Sequence, residues 1–160
     1  MTTTFADSPA DSALVAALGG FEPENPDFPE RVRDIFARAT FVTDMGVRMG
    51  DCGPGWCEST LDLEPRHLQQ DDFVHAGVLA TLGDHTAGAA AATMIAADRI
   101  VLTVEFKINL LRPAMGESLR CRSNLLKCGR RLIIAESSVY ALAKGKEKLV
   151  AKAMVTLAPV

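Results

Sequence analysis

An Ala-rich run from Gly77 to about Ala97 carries a single acid, Asp84, and follows a polar, turn-forming stretch ending at His75-Ala76-Gly77. A run of this length and composition reads as one long helix, and the segments around it read as strands. A chain with a single long helix and several half-buried strands has few ways to close a core. The simplest is one sheet wrapped around the helix, an α+β arrangement.

The strand signals are plain. Met45 to Gly50 and Trp56 to Leu63 flank the turn-rich Asp51-Cys-Gly-Pro-Gly55 and read as a hairpin. After the helix, Ile100, Leu102, Val104, Phe106, Ile108 and Leu110 alternate with Thr103, Glu105, Lys107 and Asn109 until Arg112-Pro113. Period-two alternation marks a half-buried strand, with the second set on its polar face. Three more strands are expected at about Ser118 to Leu126, Leu132 to Ala143 and Lys148 to Leu157. Short links between them favour an antiparallel meander on the C-terminal side.

Residues 1–12 are polar, Ser12 to Leu18 reads as a short helix, and Phe21 to Pro29 contains three prolines and reads as a connector. Glu30 to Ala39 reads as a helix with Val32, Ile35, Phe36 and Ala39 on one stripe. The division expected is an N-terminal helical extension over 1–44 and a principal domain over 45–160, with packing rather than chemistry in the extension.

The chain has 160 residues and a net charge of −3, which argues against nucleic-acid binding. No apolar run reaches the ~18 residues of a membrane span. Met1 to Ala10 lacks the basic n-region of a secretory signal, so a cytoplasmic protein is expected. The spacing of Cys52, Cys57, Cys121 and Cys128 does not fit a zinc site, and reduced thiols are expected.

The chemistry concentrates around the helix. Its start presents unpaired N–H groups able to stabilise oxygen charge during attack on a carbonyl. On a helical wheel, Val78, Leu79 and Leu82 face the sheet, while Asp84 shares the other side with Ala80, Ala87, Gly88 and Ala91. A bare helix face normally carries several charged residues, so this side is expected to be covered by a second subunit. Ala76 and Asp84 are eight residues apart, roughly 12 Å along a helix. A reacting carbonyl needs both groups within about 3 Å. If both act on one carbonyl, they come from different subunits.

His75-Ala76-Gly77 followed by Leu82-Gly83-Asp84, with the strand Val104-Glu-Phe-Lys-Ile-Asn-Leu-Leu-Arg-Pro-Ala114, resembles the hotdog-fold acyl-CoA thioesterases, in particular the PaaI-like branch. The resemblance covers about residues 45–158. It implies an antiparallel sheet wrapped around a long central helix. It also implies hydrolysis of an acyl-CoA thioester to a carboxylic acid and free CoA, in a homodimer or a tetramer of paired dimers.

By the same resemblance, Asp84 is the general base or nucleophile, and the Ala76 N–H holds the thioester oxygen. His75 holds the turn, Gln69 orients water or the thioester, and Thr103 supports the acid. Gly77, Arg112, Arg130 and Arg131 form the substrate-binding set, with Lys127 beside the last two on a basic rim for the CoA phosphates. No metal or cofactor is expected, since coenzyme A belongs to the substrate. Alanine replaces the family's first glycine at 76, which keeps the N–H but adds a Cβ near the thioester. His85 follows Asp84 directly, about 100° round the helix. The alternative is a non-catalytic acyl-CoA-binding hotdog protein, which needs no acid at 84. A hotdog dehydratase fits poorly, because Asp71 and His75 are too close together and precede the helix.

Overall fold

A computed structural model describes residues 21–160; the short helix expected at Ser12 to Leu18 lies outside them. Helix α1 (Phe28–Arg38) starts with proline in its first turn, where a missing N–H costs nothing. Glu30 sits at its positive end and Arg38 at its negative end. Val32 and Phe36, one turn apart, are its buried residues. The short helix α2 (Thr40–Met45) closes on Gly46, whose φ of +91° is the left-handed cap that favours glycine.

Strands β1 (Val47–Gly53) and β2 (Trp56–Asp62) form the expected hairpin, starting two residues later than the sequence predicts because α2 takes Met45. A 3-10 turn, Pro65–His67, leads toward helix α3 (Ala76–Ala92). The expectation ran α3 on to Ala97. Instead the Thr93 hydroxyl donates to Ala90 O at 2.7 Å and accepts the Gly55 N–H at 2.9 Å, tying the helix end to the β1–β2 turn. Then follow β3 (Val101–Leu110), β4 (Ser118–Cys128), β5 (Ile133–Ala143) and β6 (Lys146–Pro159).

The six strands form one antiparallel sheet in the order β1-β2-β4-β5-β6-β3. The meander holds for β4, β5 and β6, but β3 does not join it beside β4. It crosses to the far side of β6 and forms an edge. The return connection turns at Gly116, where a Cβ would stand 2.1 Å from the Leu142 carbonyl oxygen, so only glycine fits.

The sheet wraps α3, and Leu61, Leu82, Leu119, Leu125, Val155 and Leu157 are fully buried between them. Ala87 and Ala91, expected on a face left for a second subunit, are fully buried within the protomer. The curved sheet and α1 cover that side of the helix, leaving Ala80, Asp84 and Gly88 as its half-exposed positions. Large apolar side chains of β3 stay uncovered on both of its faces: Leu102 is 53% and Phe106 43% exposed.

A β-bulge interrupts β3 between Thr103 and Glu105. Thr103 pairs with Leu157 and Phe106 with Val155, two buried residues two apart on β6, so Thr103 and Phe106 share the face turned to the helix. The simple alternation, which put Thr103 with Glu105 and Lys107 on a polar face, is therefore broken by one inserted residue.

Candidate active site

Asp84 and Thr103 line one hollow of the protomer, and Gln69, Ala76 and Arg112 line another. In the first, the Thr103 hydroxyl donates a 2.8 Å hydrogen bond to Asp84 Oδ1. Asp84 is half-buried, and no cation among the described residues forms an ion pair with it. The hollow holds about 380 Å³ and continues from Asp84 between α1 and α3.

The helix turn that carries Asp84 is pinned from below. Ser137 donates to the Gly83 carbonyl at 2.7 Å, and Ser123 supports Ser137 at 2.6 Å. The Thr86 hydroxyl donates to the Leu82 carbonyl at 2.6 Å, and Ser59 meets Thr86 at 2.6 Å. All four hydroxyl residues are fully buried. Small hydroxyls on β2, β4 and β5 thus let a Gly- and Ala-rich helix come close and satisfy its polar atoms at the same time.

His85 sits beside Asp84 with its ring edge-on to Phe36 of α1, the centroids 4.6 Å apart. Its Nε2 is buried and has no hydrogen-bond partner among the described residues. Burial lowers the His85 pKa below its ordinary value, with the Asp84 charge pulling it partly back. A neutral imidazole packed on a phenyl ring is the result.

The second hollow, about 300 Å³, lies at the start of α3 and is lined by Gln69, Phe73, Ala76, Leu110 and Arg112 among others. His75 is the N-cap, and its Nδ1 accepts the Gly77 N–H at 2.9 Å. That bond puts the neutral ring's proton on Nε2. It leaves the Ala76 N–H without an acceptor among the described residues. The turn before the helix is held by Val74 N–H to Ala114 O and His75 N–H to His67 O. Arg112 is partly committed, donating to the Leu149 carbonyl at 2.9 Å.

Arg130 and Arg131 line neither hollow. They stand with Lys127 around an open depression at the β4–β5 turn. Within one protomer the structure therefore brings together Asp84, Thr103 and His85, and separately Gln69, Ala76 and Arg112, with Arg130 and Arg131 apart from both.

Two contributors went unnoticed in the sequence. His67 is buried, accepts the Glu64 N–H at Nδ1 and bonds the Met45 carbonyl through Nε2, which fixes the turn that in turn holds His75. A lone loop histidine carries no periodicity that would expose it. Helix α1, read as packing alone, lines the Asp84 hollow with Arg31, Asp34, Ile35 and Arg38.

All four cysteines are free, and burial raises the Cys121 thiol to about 11. No helix among the described residues is long and apolar enough to cross a membrane.

Comparison with known proteins agrees with this architecture. Residues 72–153 match the family model of the thioesterase superfamily. A thioesterase family protein of Silicibacter pomeroyi is 36% identical, with 83% of this chain and 98% of that one aligned at a TM-score of 0.81. A conserved protein of Pseudomonas aeruginosa is 30% identical, over 80% of this chain and 98% of its own, at 0.72. The PaaI protein of the E. coli phenylacetic acid degradation operon is only 14% identical, yet superposes over 83% of this chain and 93% of its own at 0.73, a likeness of fold. A six-stranded antiparallel sheet around one long helix, with the family match running from before that helix into β6, is the hotdog arrangement, and the chain belongs to the thioesterase superfamily.

Proposed function

We propose that this protein hydrolyses an acyl-CoA thioester in a site shared by two copies of the chain. The observation that carries the reading is the Asp84–Thr103 pair, which opens into a hollow beside the uncovered edge of β3. In one protomer the acid and the free Ala76 N–H lie roughly 12 Å apart along α3. The two hollows flank opposite ends of β3, with Thr103 at one and Leu110 at the other. Antiparallel pairing of β3 with its copy about a central two-fold axis carries the Thr103 end of one strand beside the Leu110 end of the other. Each acid then meets the other subunit's helix start. The exposed Leu102 and Phe106 and an open strand edge support such pairing.

In that site the thioester oxygen accepts the Ala76 N–H of one subunit, which stabilises charge as the carbonyl carbon becomes tetrahedral. Asp84 of the other acts as general base or as nucleophile. As base, its free Oδ2 takes a proton while the water oxygen bonds to carbon, the C–S bond breaks, and the departing thiolate takes the proton back. As nucleophile it bonds to the carbonyl carbon, the C–S bond breaks and CoA leaves as thiolate; water then opens the mixed anhydride, releasing the acid and the Asp84 carboxylate while the thiolate takes a proton of that water. Gln69 orients the attacking water or the thioester. His75 shapes the turn, and Gly77, Arg112, Arg130 and Arg131 receive the CoA moiety, whose phosphates favour basic groups. Coenzyme A enters as substrate, and the chemistry calls for no metal or cofactor. The site is read as cytoplasmic, where acyl-CoA is available.

Paired variants test the shared site. Asp84→Asn removes the acid. Ala76→Pro removes only the N–H, and proline is well accepted at the first helical position. His75 before it is already extended, with ψ 139°, as a residue preceding proline must be. Each alone should lose about 10²–10³-fold in kcat, measured as thiol release from acyl-CoAs. Unfolding both together and refolding the mixture should restore roughly a quarter of the wild-type rate, because mixed dimers hold one intact site. An Asp84→Asn protein with full turnover removes the reading, and a mixture that stays inactive removes the shared site.

A further inference from the structure

The hairpin of β1 and β2 sets two thiols directly opposite each other. Gly53 pairs with Trp56 across the turn Pro54-Gly55, and the next pair outward is Cys52 with Cys57. The pair flanking a two-residue turn exchanges hydrogen bonds, so the next is of the non-bonded kind, with Cα atoms about 4.5 Å apart. Disulfides span Cα separations of about 4.4–6.8 Å, so the backbone is already placed for one. Opposed residues project to the same face, and both pack on the core, Cys57 buried and Cys52 partly exposed. The turn between them is held from two sides. The Gly55 N–H donates to the Thr93 hydroxyl at 2.9 Å, and the Gly55 carbonyl accepts the Leu125 N–H at 2.8 Å. Cys121 stands opposite Ser59 and so diagonal to Cys57, a relation that separates Cα atoms by roughly 7–8 Å. That is beyond the reach of a bridge, so Cys52 is the partner the sheet gives to Cys57. Access is unequal. Cys52 lines a surface hollow of about 340 Å³ with Arg33 and Asp51. Burial pushes both thiols up, Cys57 well up, while the Arg33 charge draws Cys52 partly back.

We propose that Cys52 and Cys57 form a reversible dithiol–disulfide couple, a modification site that exchanges with low-molecular-weight disulfides through Cys52. The couple stands apart from the thioesterase reading and does not depend on it. The Cys52 thiolate attacks one sulfur of the reagent: a mixed disulfide forms, the reagent's S–S bond breaks, and the first thiolate leaves and takes up the Cys52 proton. Cys57 then gives up its proton and attacks the Cys52 sulfur. The protein S–S bond forms, and the second thiolate leaves with that proton. The two cysteines lose two electrons, and the reagent gains them as two thiols. Because Cys57 is already held opposite, this second step is intramolecular and outruns release of the mixed disulfide by outside thiol. Excess thiol reverses both steps, and the free thiols of the structure are the reduced form.

The test equilibrates the folded full chain in anaerobic mixtures of reduced and oxidised glutathione. Remaining thiols are then trapped by alkylation in denaturant, and the peptides are mapped by mass spectrometry. With oxidised glutathione in excess, Cys52 and Cys57 should disappear together as one linked peptide pair, and dithiothreitol should return both. Cys57→Ala should instead hold Cys52 as a lasting glutathione mixed disulfide. Cys52→Ser, at the partly exposed position, should leave Cys57 unreacted, because nothing then carries the reagent to the buried thiol. Cys121→Ala should leave the couple unchanged. Closing so short a loop in its native geometry should raise Tm by roughly 2–8 °C in the oxidised protein. Thiols that all stay free in excess oxidised glutathione would overturn the proposal. So would a wild-type mixed disulfide at Cys52 that never resolves, or a bridge to Cys121 or Cys128. A Tm that falls on oxidation would show that the hairpin must distort to close the bond, and would overturn it as well.

Discussion

The Thr103 hydroxyl reaches Asp84 Oδ1 at 2.8 Å from the edge strand of the sheet to the central helix, across nineteen positions of sequence. The contact ties the carboxylate to β3, an open edge strand of the sheet. It also leaves the other carboxylate oxygen open to the hollow.

Thr103→Val should therefore release the carboxylate while keeping the side chain's shape. A hydrogen bond to a charged group is worth about 1.5–3 kcal/mol. Where turnover depends on the held orientation, kcat should fall roughly 10- to 150-fold with a smaller change in KM. Thr103→Ser should recover most of the loss. Steady-state kinetics on the two variants decide it, and equal rates for Val and Thr would remove the positioning role.

Ser137→Ala tests the support beneath the acid. It strips the Gly83 carbonyl and the Ser123 hydroxyl of a buried partner. The expected cost is about 1–2 kcal/mol, a fall of roughly 2–8 °C in Tm by thermal melting. Because Gly83 is adjacent to Asp84, kcat should drop as well at unchanged KM. A stability loss with no kinetic change would mark the ladder as packing only.

His85 gives the folded state an acid-side weakness. Burial, opposed by Asp84, holds its pKa below the ordinary 6.5. Between those two values the unfolded chain binds the proton and the folded one does not, so stability rises with pH through that window and is lost as pH falls. Replacing His85 with Leu should flatten this part of the profile. Urea midpoints from pH 5 to 8 provide the check, and identical slopes for both proteins would assign the acid sensitivity elsewhere.

Much of this organisation could be read along the chain. The break from polar turn residues to Gly and Ala at His75-Ala76-Gly77 located the start of α3 to one residue, because capping and helix propensity are local. The strands were legible for the same reason, as period-two alternation follows from the pleat. The face of Thr103 was not legible. One bulged residue reverses the sense of alternation, and a bulge is decided by pairing with β6 rather than by composition. Nor could the far-edge position of β3 be read, since sequence neighbours need not be sheet neighbours.

The sequence by itself determined the element order, the helix start and the lone acid within it, all consequences of periodicity and of the cost of an unexplained charge among apolar residues. Only the tertiary structure decided what that acid faces. The bulge turns Thr103 toward it, buried serines and a threonine on three strands and the helix hold its turn, and α1 becomes the wall of its hollow. Those contacts join residues tens of positions apart. No local propensity encodes them, because they exist only once the sheet has curved around the helix.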